Sequence, residues 1–399
     1  MPSGPTTSLD LSSPELAADP YPFFAEERAR HEIAWSEAAG TWLTFSHAAA
    51  SAVLRDRRLQ RLWRDREPAD YLEPFNLLHR NQMMENEPPV HTRLRRPVAA
   101  AFNRGHVDRL RPRVEALAAQ LLDEVDPAGF DVIGSYAEPL PVLVIAELLG
   151  VPTSYAPQLR AWSQAIVHMY EVAPSQEVVD AAVAAAAEFA GLVREQVAER
   201  RVRPSDDLIS DLVALSSTEA GRLTEGLSDD EVVASVVLLL NAGHEASVNV
   251  FGNGLVSMLR AGARPADDVA LTIEEMLRYD AALQLFERTA AEPVELRTSS
   301  GSSVVIEPGQ KVAALLGAAN RDPALFEAPD EFRPGRDPNP HLAFSAGIHF
   351  CLGAPLARME LTESLAALTT RFPGLSLAAE PEARGTFVLK GYRSVEVSA

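Results

Sequence analysis

A single cysteine, Cys351, stands in a chain of 399 residues, which excludes an intrachain disulfide and any zinc or iron–sulfur site built on several thiolates. One thiolate ligand remains available. Lysine is almost as scarce: Lys311 and Lys390 are the only two, so the positive charge is nearly all arginine. That charge is outweighed, 36 Lys and Arg against 56 Asp and Glu, and the net −20 argues against a general nucleic-acid binder. Long apolar runs are missing too. The most hydrophobic stretch, 232–240, is too short to cross a bilayer, and residues 1–10 lack the basic and then apolar pattern of a leader. These absences predict a soluble cytoplasmic protein that binds neither nucleic acid nor membrane. Repeats, low-complexity tracts and flexible linkers are absent as well, and 47% hydrophobic residues suffice for a sizeable core.

What is present is mostly helical spacing. Pro20 and Pro22 open a short helix that runs to about residue 30, and β-like runs at 31–36 and 41–46 flank Gly40. From residue 48 to about 289, apolar residues recur every three or four positions without sustained alternation. Helices are predicted over 90–102, 107–122, 137–149, 155–170, 176–200, 206–215, 229–260 and 269–279. Residues 292–315 read as short strands punctuated by Gly301 and the Pro308-Gly309 turn. Residues 320–340, crowded with Pro, Asp and Arg, follow neither period and predict an ordered, irregular meander. A last long helix, 354–371, precedes a terminal β-like segment. The fold class is mainly α with small accessory β-sheets, in one domain spanning 1–399.

The chemistry concentrates in Phe344-Ser-Ala-Gly-Ile-His-Phe-Cys351-Leu-Gly353, a glycine-rich loop just before the helix that opens with Ala354-Pro355. A cysteine at a helix N-terminus meets unpaired N–H groups and the positive end of the dipole, which favour thiolate and make Cys351 a metal-ligand candidate. Gly347 and Gly353 would let the backbone approach a flat cofactor, and Phe344 would pack beside the sulfur. Taken alone, a free cysteine is more often a small buried hydrophobe.

The loop resembles the haem-binding signature of the cytochrome P450 family, F-x-x-G-x-H-x-C-x-G, and the resemblance extends over nearly the whole chain. It implies a single triangular domain with the cytochrome P450 fold, with haem b (iron protoporphyrin IX) held by Cys351 as axial ligand and His349 at a propionate. Three further segments carry it. Glu275-Met-Leu-Arg278 resembles the family's E-x-x-R helix pair, with Arg336 of Phe332-Arg-Pro-Gly-Arg336 as third member, all structural. Glu87-Pro-Pro-Val-His91-Thr-Arg-Leu-Arg95 implies His91 and Arg95 at the propionates, joined by Arg288, with Arg93, Arg96 and Arg104 on the outer proximal side. Leu238-Leu-Leu-Asn-Ala-Gly243-His-Glu245-Ala246-Ser247 resembles the distal A-G-x-[D/E]-T segment, whose small residues leave a groove for dioxygen and whose acid–alcohol pair relays protons.

Glu245 matches the acid, but Ala246 replaces the usual threonine, with Ser247 next to it. A methyl group neither donates nor accepts a hydrogen bond. Three routes stay open: a substrate hydroxyl with ordered water, Ser247 after a local helix adjustment, or the use of peroxide. The first is preferred, because Ser247 is rotated roughly 100° from position 246 on a helix.

The resemblance implies a monooxygenase that inserts one atom of O2 into a lipophilic small molecule, such as a polyketide, terpenoid or modified peptide. Its electrons would come from a ferredoxin and an NAD(P)H-dependent ferredoxin reductase, and the protein would be a monomer. Substrate-facing positions by this likeness are 71–84, Leu239, Ala242, 282–285 (with Leu283, Gln284 and Leu285) and 387–389 (with Leu389), with Asn241 and Gln284 as polar contacts. The alternatives are a peroxygenase, a catalytically silent haem-binding sensor, or, from a different class, a zinc or thiol hydrolase using Cys351 with His349 or His244.

Overall fold

Side-chain caps set several of the helix starts in the structure, a computed structural model that describes residues 4–102, 104–172, 174–216 and 226–398. α1 (Pro14–Ala18) is capped by Ser13, and α2 (Tyr21–Arg30) follows with a proline in its first turn. α3 (His47–Arg55) is capped by Ser46, and α4 (Glu73–Arg80) adds a short helix within 71–84. α5 (Val90–Ala101) and α6 (Arg104–Asp123) come next; α6 begins three residues before the expected start. α7 (Pro139–Leu149) is preceded by a π-turn over Ile133–Ala137, so the expected start at 137 moves to the proline. It stops at Gly150, whose φ of +83° and closeness to the Asp207 side chain leave no room for a Cβ.

The single helix expected over 155–170 is α8 (Ala156–Val167) with a 3-10 turn at either end. α9 (Gln176–Val202) is capped by Ser175, and α10 (Leu208–Ser216) starts later than expected because Asp207 Oδ1 accepts the Ser210 N–H as a cap. α11 (Asp229–Arg260) and α12 (Val269–Tyr279) match their predicted bounds, α11 opening on a capping box between Ser228 and Glu231. α13 (Leu316–Asn320) is a single turn, and α14 (Ala354–Arg371) also matches.

The strands form a six-stranded sheet and three small ones. β1 (Thr6–Thr7), β2 (Ile33–Ser36), β3 (Thr41–Thr44) and β4 (Leu59–Gln60) precede β5 (Phe130–Asp131). β6 (Leu285–Ala290), β7 (Val294–Arg297), β8 (Ser303–Ile306) and β9 (Lys311–Leu315) come after α12, and β10 (Ser376–Leu377), β11 (Glu382–Ala383), β12 (Tyr392–Ser394) and β13 (Glu396–Ser398) close the chain. The large sheet has the order β1-β2-β3-β9-β6-β4, with β3 parallel to β9 and β6 antiparallel to it. β6 corrects the sequence reading, which carried helical spacing to residue 289. Its pairing with β9 from Leu285–Leu315 to Thr289–Lys311 satisfies a backbone that local apolar spacing cannot assign.

α11 runs through the centre and packs on α4, α7, α8, α9 and α12. Although 232–240 is short, the whole helix is long and apolar enough to pass for a membrane span. Within that window 78% of residues are buried in protein, which marks it as the core helix. The segment 321–346 forms the expected meander without helix or strand.

Candidate active site

The cysteine loop is shaped by its backbone. The Cys351 N–H donates to the Phe344 carbonyl at 2.9 Å, which folds the loop onto itself ahead of α14. Gly347 has φ +71°, and a Cβ there would fall 2.5 Å from the Leu54 carbonyl oxygen. A close approach to the backbone of α3 therefore demands this glycine. At Gly353 the protein atom nearest to a Cβ would be the Phe102 ring, 3.9 Å away, so the side open to a cofactor is left free by the chain. Phe344 is buried beneath the Arg358 guanidinium, 4.5 Å above its ring, and Arg358 is tied to Glu274 by bonds of 2.6 and 2.9 Å. Cys351 is half-buried. Burial pushes its thiol above the ordinary value, against the pull of the Gly353 and Ala354 N–H groups and of Arg95 and Arg358. The N–H groups and both guanidinium groups thus favour the thiolate against burial, and a bound cation would favour it further.

Around this loop the structure gathers the expected cationic and imidazole groups. The His91 and His349 rings lie 4.7 Å apart, and Arg95 donates from Nη2 to the Phe350 carbonyl at 2.7 Å. Arg288 is buried on β6, where burial first and Arg61 second lower its pKa to about 9. Three groups beside them were not singled out from sequence. His349 donates from Nε2 to Glu87 at 2.9 Å, the Glu87 carboxylate also accepts the Arg61 N–H at 2.8 Å, and Arg61 pairs with Glu85 at 2.6 Å. Glu87 lay inside the quoted motif and was legible there; Arg61 and Glu85 carried no signal. Arg93 departs from its expected outer position, since its guanidinium is taken by Glu231 and the Gly226 carbonyl. Arg96 is exposed, and the Arg104 side chain lies outside the described residues.

Two buried donors in this cradle have no partner: His91 Nε2 and Arg288 Nη2. Leaving such donors unpaired costs about 1–3 kcal/mol each, more for a charged group. An unpaired imidazole nitrogen and an unpaired guanidinium N–H beside a lone sulfur fit a metal-bearing macrocycle with carboxylate arms. Among the described residues no group of three or more His, Cys, Asp or Glu is placed to hold a metal ion, which leaves the zinc-hydrolase reading without a site.

On α11 the accessibility pattern is uneven in an informative way. Within this buried helix Ala242 is exposed and Leu238 and Ala246 half-buried, positions i, i+4 and i+8 of one face. That stripe is the accessible face of an otherwise buried helix. Leu239, seven residues before Ala246 on the same side, is buried. Gly243 faces Ile145 of α7, where a Cβ would stand in ordinary van der Waals contact, 3.4 Å from Ile145 Cγ1. α11 is an unbroken α-helix across 243–247, and Ser247 stays buried and rotated from Ala246.

Glu245 is 2% exposed and engaged. Arg384 donates from Nη1 to Oε2 at 3.0 Å and reaches Glu138 at 3.4 Å, and Glu138 pairs with half-exposed Arg160 at 2.8 Å. Burial raises the Glu245 carboxyl above its usual pKa, Arg384 offsetting only part of that and Glu138 adding to it. Oε1 has no hydrogen-bond partner; the His244 Nδ1 lies 3.5 Å away on a ring that burial keeps neutral, with a pKa of about 3. Sequence spacing gave no hint of Arg384 or Glu138.

Of the expected substrate positions, Leu283, Leu285 and Leu389 are half-buried, with Leu283 and Leu389 bridged. Gln284 is not with them. It is fully buried, donates to the Ala281 carbonyl and packs against Gly317 on the far side of the strand. Strand alternation sends it away from its neighbours.

Glu275, Arg278 and Arg336 come together in full burial. Arg278 makes a bidentate pair with Glu275 at 2.7 and 2.8 Å, and Arg336 Nε donates to both carboxylate oxygens at 3.2 and 3.0 Å. Further guanidinium N–H groups are received by the Asn320 carbonyl at the end of α13 and by meander carbonyls, among them Pro329, Glu327 and Ala328. This is how a segment without regular structure keeps a fixed path.

A mainly α domain with small sheets, a cysteine loop at the head of a long helix, a cradle of unpaired donors and a buried arginine–glutamate triad behind it together define a haem-thiolate type of protein. The cytochrome P450 family model matches residues 269–379. The chain is 37% identical to the cytochrome P450 monooxygenase PikC of Streptomyces venezuelae over 95% of its length and 90% of that protein's. It is 36% identical to 6-deoxyerythronolide B hydroxylase of Saccharopolyspora erythraea, covering 94% of each. Its fold superposes on P450BioI, solved with a hexadec-9Z-enoic acid ligated acyl carrier protein, with a TM-score of 0.88 and 29% identity over 97% and 100% of the two chains. It also superposes on PksS of the Bacillus subtilis 168 bacillaene polyketide synthase, with a TM-score of 0.84 and 32% identity over 98% and 99%. The chain belongs to the cytochrome P450 family, an oxidoreductase family of haem b monooxygenases.

Proposed function

We propose that this protein tailors a neutral lipophilic secondary metabolite of the polyketide, terpenoid or modified-peptide kind, inserting one oxygen atom with protons delivered by an atypical route. The unpaired His91 and Arg288 donors gathered about the Cys351 loop are the observation that carries the reading. Cys351 would ligate the iron, and His91, Arg95, Arg288 and His349 would hold the carboxylate arms, with Glu87 orienting His349. Bound haem supplies the activation of dioxygen and the transfer of one oxygen atom to carbon.

The chain's own part is positioning and proton supply. Glu245 can hold a proton at its unpaired Oε1, because burial favours the neutral carboxyl while Arg384 keeps the charged form within reach. The Arg384–Glu138–Arg160 chain connects that carboxyl towards solvent. Ala246 offers nothing beyond a methyl group, and the unbroken helix keeps Ser247 on another face. A substrate hydroxyl with ordered water therefore completes the relay. The half-buried leucines Leu283, Leu285 and Leu389 give the substrate side its apolar character.

Electrons come from a separate ferredoxin and an NAD(P)H-dependent reductase, because one cysteine cannot house an iron–sulfur cluster. The protein works as a cytoplasmic monomer. The direct test is the spectrum of the dithionite-reduced protein under carbon monoxide, followed by turnover with a reconstituted ferredoxin system. The red-shifted Soret band of thiolate ligation and substrate-dependent product are expected. Haem without that band removes Cys351 from its role, and haem without product favours the silent haem-binding alternative.

A further inference from the structure

Beside the accessible stripe of α11 lies a narrow cleft of about 10 Å³, room for one water or one hydroxyl, between α4, α11 and the turn that ends α8. Leu78 and Ile166 give it apolar walls, and Gln82, Tyr170 and Asn241 enter it from three separate elements. Gln82 is 3% and Asn241 8% exposed, yet Oε1 of the one and Oδ1 of the other have no hydrogen-bond partner. Buried amide oxygens are rarely left so, and they mark the cleft as built for a donor.

The third group is fixed as an acceptor by its neighbours. His79 Nδ1 lies 2.7 Å from the Phe75 carbonyl, which only accepts, so Nδ1 carries the proton and Nε2 must accept. The Tyr170 hydroxyl, 2.8 Å from Nε2, donates to it. Burial holds the His79 pKa down to about 4, so the ring stays neutral. The Tyr170 oxygen thus meets any guest as an acceptor.

No Asp, Glu, Lys or Arg lines the cleft among the described residues, so neither an ammonium nor a carboxylate would find its counter-charge. A neutral hydroxyl fits. It donates to one acceptor and receives from an amide NH2, whose position is exchangeable with the oxygen by rotation. Leu238 belongs to both cleft and stripe, and Asn241 stands about 7.5 Å before Ala246 along the helix. A guest lying along Leu238, Ala242 and Ala246 therefore reaches the cleft with one end.

We infer that the Gln82–Tyr170–Asn241 cleft is a recognition subsite for a hydroxyl on an otherwise apolar substrate, an inference that rests on the lipophilic-substrate reading above. The experiment uses the haem-loaded full chain and matched 1-alkylimidazoles of increasing chain length, ending in methyl, hydroxyl, carboxylate or ammonium. The imidazole nitrogen anchors each on the iron and the Soret shift reports Kd, so the far end of the chain is the only variable. At the best length the hydroxyl ligand is expected to bind at least as tightly as its methyl partner. Asn241→Leu and Gln82→Met should each worsen the hydroxyl-to-methyl ratio of Kd by about tenfold. A ratio unmoved by both variants, or tighter binding of the carboxylate or ammonium chain, overturns the inference. Affinity that falls as the methyl-ended chain lengthens takes down the lipophilic reading itself, and this inference with it. Should one variant fail to load haem, the other decides.

Discussion

Arg384, from the C-terminal segment, donates to the Glu245 carboxylate at 3.0 Å across 139 residues of sequence. The acid of the central helix is therefore set by a partner from the opposite end of the fold, and Arg384→Met should act on it in two ways. Burial already raises the Glu245 pKa, and losing the guanidinium removes the largest influence that lowers it, so the carboxyl should ionise at still higher pH. Breaking a buried pair by removing one partner also costs about 3–5 kcal/mol. The turnover–pH profile and the unfolding midpoint read the two effects separately. A profile that does not move would place Glu245 outside proton delivery.

Ala246→Thr tests the proton route. If a substrate hydroxyl and water serve where the methyl group cannot, coupling of NAD(P)H consumption to product should stay level or fall in the variant with the native substrate. A large improvement in coupling would mean that the chain lacks a donor it needs.

Glu275→Gln should unseat the meander. The change leaves two buried guanidinium groups, Arg278 and Arg336, facing a neutral amide. A loss of about 3–5 kcal/mol is expected, with haem content falling in step. Chemical unfolding and the Soret-to-protein absorbance ratio measure both, and retention of haem at wild-type stability would show the triad to be dispensable.

Glu171 collects three consecutive backbone N–H groups, those of Phe387, Val388 and Leu389, at 3.1, 3.0 and 2.9 Å. This ties the turn after α8 to the terminal loop beside Leu283. Glu171→Ala frees all three donors at once, and amide hydrogen exchange at 387–389 should accelerate well beyond any change in α11. Unchanged protection there would assign the order of that loop to side-chain packing.

Glu360, buried on α14, has a carboxyl that burial raises to about 8. A group whose folded pKa lies above its unfolded value near 4.5 contributes stability that is complete below about pH 4.5 and lost as pH rises through about 8. Glu360→Gln keeps the shape without the charge. The variant should therefore gain on wild type in thermal midpoint between about pH 5 and about pH 9. An equal difference at both ends would mean that Glu360 does not titrate in this range.

Periodicity and capping residues determined the helices by themselves where the buried face is continuous. α11, α12 and α14 could be read end to end because the apolar repeat, an N-cap such as Ser228 or Asp268, and a proline in the first turn of α14 are all local. The cysteine loop and the E-x-x-R pair were legible for the same reason, since their residues stand within one turn or one short loop. β6 was not, because a strand is decided by a partner 30 residues on, as Leu285 pairs with Leu315. The polar partners of Glu245, the demand of Leu54 on Gly347 and the convergence of Gln82, Tyr170 and Asn241 were invisible for a related reason. Each depends on a distance between elements, and no one-dimensional spacing encodes a distance between side chains brought together only when the core closes around α11.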